Sequence, residues 1–268
     1  MIINSNASYL LGETSLNRPI ICHHNLIDVD NIAATSSHAD FPVVNLANPA
    51  TNLYWKANAT TAQDITITLT DNEHLVDYIA IARHNLYSCG ATITITGDAG
   101  GGSAELVEEF SPTSDDPIII TFDPNTYIEL VIEISAADVA AQIAVVYCGE
   151  MLRVERNMYV GYAPMTLNTD TDAVSGFSES GNFLGRIIVN ESRTGQMTIN
   201  NLTPAWVRSD LKPFLADAKS RPFFFAWRPS SYPEEVVFAW QVDTQGPYPQ
   251  NSLPNGMMNF SMNLKALT

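Results

Sequence analysis

The chain has 268 residues and 29.4 kDa, with 46% apolar and 16% charged side chains and a mean hydropathy of zero. At roughly 100 to 200 residues per domain this length predicts two domains, and the composition fits neither a disordered polyelectrolyte nor a membrane protein. The 13 basic against 29 acidic residues leave a net charge of -16, which opposes recognition of nucleic acid.

The charge is unevenly placed. Residues 1–150 hold 3 Lys/Arg against 19 Asp/Glu, whereas residues 151–268 hold 10 of each. This break predicts an acidic domain over 1–150 and a neutral one over 151–268. All five histidines and all three cysteines (Cys22, Cys89, Cys148) fall in the first. An odd cysteine count at these wide spacings is no disulfide framework, so buried thiols are expected. The start, MIINSNASYLL, lacks a basic region and a long apolar run, and no window of the chain reaches 18 apolar residues, so neither a secretory leader nor membrane insertion is expected.

In chain order, short β-branched segments predict strands at 65–69 (ITITL), 78–82 (YIAIA), 92–96 (TITIT), 118–122 (IIITF), 127–134 (YIELVIEI) and 143–147 (IAVVY). The Ile/Thr alternation puts apolar side chains on one face and hydroxyls on the other, the pattern of a half-buried antiparallel sheet and hence of a sandwich. Turn residues punctuate the segments at Asp71-Asn72, 97–103 (GDAGGGS), 112–117 (PTSDDP) and 123–125. The glycine run reads as a hairpin loop and not a phosphate cradle, because no GK[ST] and no helix follow it.

In the second half, strands are predicted at 185–189, 196–199, 222–227, 236–242 and 257–264. One helix, near 204–219, opens with Thr203 as cap and Pro204 in its first turn. Trp206, Val207, Leu211, Phe214 and Leu215 would form its buried stripe, and Pro213 predicts a kink or two short helices. The fold class expected is therefore mainly β: a β-sandwich, then a β-rich domain with one helix.

Catalytic chemistry finds no anchor. His23, His24, His38, His74 and His84 have no spacing that puts two zinc ligands on one face. Asp28, Asp30, Asn31 and Asp40 lack the following Gly and Glu of an EF-hand, and a solvated acidic loop is the expectation. There is no G-x-S-x-G elbow and no cysteine at a helix N-terminus. The pairs Glu108-Glu109 and Glu234-Glu235 point apart if on strands. No enzyme activity, cofactor or metal is expected. The aromatic run 222–229 (PFFFAWRP), with Tyr232 and Trp240 beyond it, predicts core for the Phe residues, with Arg228, Tyr232 and Trp240 as candidates for a subunit interface.

Residues 45–55 (NLANPATNLYW), ITITLTD, and 76–90 (VDYIAIARHNLYSCG) leading into ATITITG resemble the galactose-binding-like jelly-roll domains of tailed-phage virion proteins. From Gly149, GEMLRVERNMYVGYAP, residues 183–189 and 222–229 and the Asn255-Gly256 ending look like the downstream part of phage tail-tip proteins. The resemblance implies a structural component of a non-contractile tail tip, distal-tail-like, located in the virion. It would form a homo-oligomeric ring with other tail proteins as neighbours, joining the tube to the host-attachment apparatus. The competing expectation is a carbohydrate-binding module for a host-surface glycan, with Trp55 as stacking platform and Arg83, His84 and Asn85 as hydrogen-bonding groups. A buried Trp55 would remove that platform.

Overall fold

The computed structural model describes residues 1–4, 17–69, 74–158, 161–250 and 256–267. The expected Asp71-Asn72 turn and Asn255 lie outside these residues. The strands described are β1 (Ile2–Asn4), β2 (Ile20–Cys22), β3 (Ile32–Ala34), β4 (Trp55–Lys56), β5 (Gln63–Thr68), β6 (Val76–His84), β7 (Ile93–Asp98), β8 (Ser103–Phe110), β9 (Ile118–Asn125), β10 (Glu129–Ile134), β11 (Gln142–Gly149), β12 (Leu152–Arg153), β13 (Thr169–Phe177), β14 (Phe183–Leu202), β15 (Phe223–Ala226), β16 (Val236–Pro249) and β17 (Met258–Ala266). They form two five-stranded sheets, ordered β3-β5-β10-β7-β8 and β1-β9-β6-β11-β4, and a seven-stranded sheet ordered β12-β2-β15-β16-β17-β14-β13. The fold is a β-sandwich of the two five-stranded sheets with a further β unit stacked on it.

Burial follows from this stacking. In the outer sheet, Ile65 and Ile67 of β5 and Ile93 and Ile95 of β7 are buried while the intervening threonines face outward, as alternation requires when one face meets water. The central sheet is covered on both sides. Ile79 and Ile81 of β6 pack into the sandwich core, while Tyr78, Ala80 and Ala82 pack against Phe224 and Phe238 of the third sheet. The alanines leave room for those rings, so the layers interdigitate. The near-continuous apolar runs YIAIA and IAVVY are what two buried faces require.

The GDAGGGS segment closes the β7–β8 hairpin. Asp98 Oδ1 accepts the amide hydrogens of Gly100 and Gly102 at 2.7 and 3.0 Å, and both glycines hold positive φ, which their missing Cβ permits. The loop's amides are thus used by its own aspartate.

The third sheet carries the helical segment on its far face. Thr203 Oγ1 caps α1 (Pro204–Trp206) by accepting from the Trp206 amide at 3.4 Å. A π turn (Val207–Leu211) and α2 (Lys212–Asp217) follow. Pro213 has no N–H to offer the carbonyl four residues back, which lies inside the π turn, and this accounts for the expected break. Val207, Leu211 and Phe214 are buried against Phe223 and Phe225, with Trp206 and Leu215 at the edge of that cluster. Phe224 points the other way, into the central sheet. The three Phe residues are core on both faces of β15.

Three expectations need correction. The division into 1–150 and 151–268 does not hold for residues 20–22, because β2 pairs with β15 and β12 in the third sheet, its Ile21 and flanking Ile20 and Cys22 buried on opposite faces. Segments 185–189 and 196–199 are parts of one 20-residue strand, β14. Strands β8 and β13 were not expected, since both expose most of their side chains and so lack an apolar pattern.

Polar contacts fasten the layers. The Met151 amide and the Arg153 guanidinium donate to Asp77 of β6 at 2.8 and 3.1 Å. Tyr147 OH donates to the Pro222 carbonyl at 3.1 Å, and Tyr78 OH to that of His24. All three cysteines are buried, with Cys22 and Cys148 facing different cores.

Candidate functional site

A cleft lies at one end of the central sheet, where β6 ends and β4, β9 and β11 begin. Its volume is about 580 Å³, and it is lined by Asn52, Tyr54, Arg83, Asp115, Gln142 and Leu267 among others. Leu267 follows β17, so the third sheet supplies one wall.

The Arg83 side chain is exposed and makes no hydrogen bond or ion pair among the described residues. Its φ of 53° is left-handed, a conformation costing a non-glycine residue roughly 1 to 2 kcal/mol. The next residue explains how this is held. His84 is buried, its Nε2–H donating to the Asp116 carbonyl at 3.0 Å while Nδ1 accepts the Leu86 amide hydrogen at 3.3 Å. These partners define the neutral Nε2–H tautomer, and burial lowers its pKa below the ordinary 6.5, against the Asp116 hydrogen bond and the nearby Asp115 charge. Asn85 then ties β6 to β11: its Nδ2 donates to the Ala140 carbonyl at 3.1 Å and its Oδ1 accepts the Gln142 amide at 2.7 Å. Asp115 Oδ1 accepts the amides of Tyr87 and Ser88 at 3.0 and 3.2 Å, fixing the turn at the cleft's rim.

Of the four residues expected to bind a glycan, one presents an unengaged polar side chain to the cleft. Trp55 is fully buried, and its Nε1 donates to the Ser36 carbonyl at 3.0 Å and Ser37 Oγ at 3.1 Å, so it offers no stacking face. His84 and Asn85 line the cleft but spend their polar atoms on the protein. Arg83 remains. The ring at the cleft is that of Tyr54, stacked on Phe41 at 4.3 Å and 16°. Asn52, Tyr54, Asp115 and Gln142 line the cleft as well, and no sequence motif singled them out. Neighbours in an extended segment point to opposite faces, so a buried Trp55 places Tyr54 on the other side, and that was the available signal.

The expected interface residues divide. Arg228 lies over the Trp227 ring at 4.9 Å and Tyr232 stacks on it at 5.4 Å and 10°, making one surface group braced by the hydrogen bond from Trp227 Nε1 to Glu235. Trp240 does not join it. It lies past the Phe223↔Ala239 rung, at the opposite end of the β15–β16 ladder from Trp227.

The Asp28 loop is closed on itself: Asp28 Oδ1 accepts the amides of Asp30 and Asn31, and Asn31 Oδ1 that of Asp28. Among the described residues no group of three or more His, Cys, Asp or Glu is placed to hold a metal. No helix among them is long and apolar enough to cross a membrane.

No protein-family model matches the chain, and no curated protein matches it. Solved structures do resemble it. A chitosan-binding module from the chitosanase/glucanase of Paenibacillus sp. IK-5 is 15% identical, over 48% of this chain and 99% of that one, with a TM-score of 0.42. The family 32 carbohydrate-binding module of Clostridium perfringens NanJ, in complex with galactose, is 17% identical over 49% and 99% of the two chains, with a TM-score of 0.39. Another C. perfringens module, in complex with GalNAc-β-1,3-galactose, is 12% identical over 44% and 94%, with a TM-score of 0.39. None of the three is a phage protein.

Proposed function

We propose that the protein is a non-catalytic binding protein whose sandwich takes a glycan in the cleft at the end of the central sheet. The observation that carries this is the cleft's composition. An unengaged guanidinium at Arg83 and the side chains of Asn52 and Gln142 line it beside the braced Tyr54 ring. A sugar offers hydroxyls that match such fork-shaped donors and acceptors, and an apolar C–H face that matches a ring. Two of the solved modules named above are complexes with galactose and with GalNAc-β-1,3-galactose, and the reading gives this chain a use of that kind. A glycan array followed by titration calorimetry tests it: binding is expected, and Arg83→Ala should weaken it about ten-fold or more while leaving the melting temperature in place. Binding that survives both Arg83→Ala and Asn52→Ala would move the site elsewhere.

A second reading is favoured by a different observation. The ribbon formed by β13 and the first half of β14 presents Val174, Phe177, Phe183, Leu184 and Ile187 to solvent, and large exposed apolar patches mark interaction surfaces. This supports a self-assembling structural subunit, for which the tail-tip ring and virion location implied by the sequence resemblance are the specific proposal. The two readings are compatible, with the sandwich displaying a receptor site on an assembly built by the third sheet.

A further inference from the structure

Resting on the assembly reading, we propose that the β13–β14 ribbon is the self-association element of this protein and that its occupant is the same ribbon of a second copy. The ladder β14–β17 begins at Arg193↔Ala266 and runs toward Leu202, whereas β13 pairs with β14 from Arg193 back to Phe183. The first ten residues of β14 therefore extend past the end of the sheet with β13 as their sole partner strand among the described residues, an arm on the order of 30 Å long at the usual rise per residue.

Both faces of this arm are bare. Ile187, Ile188 and Val189 are consecutive and 72, 56 and 63% exposed, and consecutive strand residues face opposite ways. With Val174, Phe177, Phe183 and Leu184 they expose on the order of 800 Å² over the two faces together, so that a partner wrapping both faces would cover what one side contributes to a standard interface. A two-stranded ribbon is marginal by itself in water, so this arm gains order from whatever covers it.

Its outer edge is also open. β13 ends the sheet order, and while Asp170 and Asp172 guard its first part, Ala173–Phe177 contains neither charge nor proline, the devices that keep edges from pairing. The arm's base is anchored by Arg193 Nη2 to Asp116 Oδ1 at 3.1 Å. A second copy fits better than a lipid surface: Arg186 is the only basic residue of 174–189, and the chain's net charge of -16 repels anionic headgroups. The arm itself is apolar and open-edged, so two arms are complementary in both respects.

The test is sedimentation of the full chain across micromolar concentrations, beside Ile187→Glu/Val189→Glu, with melting curves to show that both fold. Because the native cysteines are buried, Leu184→Cys supplies a single accessible thiol for maleimide cross-linking between copies. Expected are a concentration-dependent oligomer, a dissociation constant raised about 100-fold or more by the double variant, and covalent dimers through Leu184→Cys. A wild type that stays monomeric overturns both the inference and unaided self-assembly. An oligomer unchanged by the double variant keeps assembly but takes it from the arm, and gives the Trp227, Arg228 and Tyr232 group the role. A monomer that floats with zwitterionic vesicles overturns the proposal in favour of a lipid partner.

Discussion

Strand β6 and the free half of β14 are both rich in large apolar side chains, yet one is buried on both faces and the other exposed on both. YIAIA and FLGRIIV are both dominated by apolar side chains. The difference lies in what is stacked above and below. β6 has the outer sheet on one side and Phe224 and Phe238 on the other, whereas β14 outruns its sheet. An apolar strand with two covered faces is core, and the same kind of strand with none is an exposed apolar surface.

The comparison is broken most directly by truncation. Ile79→Ala should lower the unfolding free energy by about 2 to 5 kcal/mol in denaturant titrations, because it leaves a cavity. Ile187→Ala, measured at concentrations where the chain is monomeric, should stay within about 0.5 kcal/mol. Similar losses at the two positions would mean that the arm folds back on its own chain.

Acid sharpens the contrast at the seam between layers. Burial pushes the Asp77 carboxyl up to about 6 from the ordinary 3.8, with the Met151 amide and the Arg153 guanidinium opposing. A carboxyl raised in the folded state stabilises below the unfolded value, and that contribution is lost as the pH rises through 6. Burial holds His24 and His84 below their ordinary 6.5, so their contribution is present above 6.5 and lost as the pH falls. Between about pH 6.5 and 4 the two signs offset each other. Asp77→Asn removes one of them, and the loss of stability on acidification should steepen by on the order of 2 kcal/mol across that window. An unchanged slope in pH-dependent melting would show that Asp77 is already charged at pH 5.

The smallest effect concerns the cleft. Arg83→Gly relieves the left-handed backbone and removes the guanidinium, so the melting temperature should rise slightly, by the equivalent of about 1 kcal/mol or less, while glycan binding falls as in Arg83→Ala. A drop in stability would mean that Arg83 is held by its side chain, and that the cleft is a structural feature.

Much of the sandwich was legible in the chain. ITITL and TITIT announce one dry and one wet face, and Thr203-Pro204 with Pro213 announces a capped and broken helix. Strand β13, TDTDAVSGF, was not legible, because neither of its faces is buried and nothing constrains its side chains to alternate. The site was legible only as a neighbourhood. Arg83, His84 and Asn85 are consecutive and do meet at one cleft, but His84 and Asn85 turn their polar atoms to the carbonyls and amides of β11 and the Asp116 loop.

What the amino-acid order determined by itself is local: which segments extend, where the chain turns, where a helix is capped and broken, and which half carries the acid. These depend on neighbouring residues and on a period of two or of 3.6. Tertiary structure alone decided that β2 joins a sheet formed by the other end of the chain, that Trp55 is sealed while Tyr54 faces the cleft, and that one apolar strand is core and another bare. Burial is a property of the layer opposite, and a strand's own side chains are the same whether or not that layer is there.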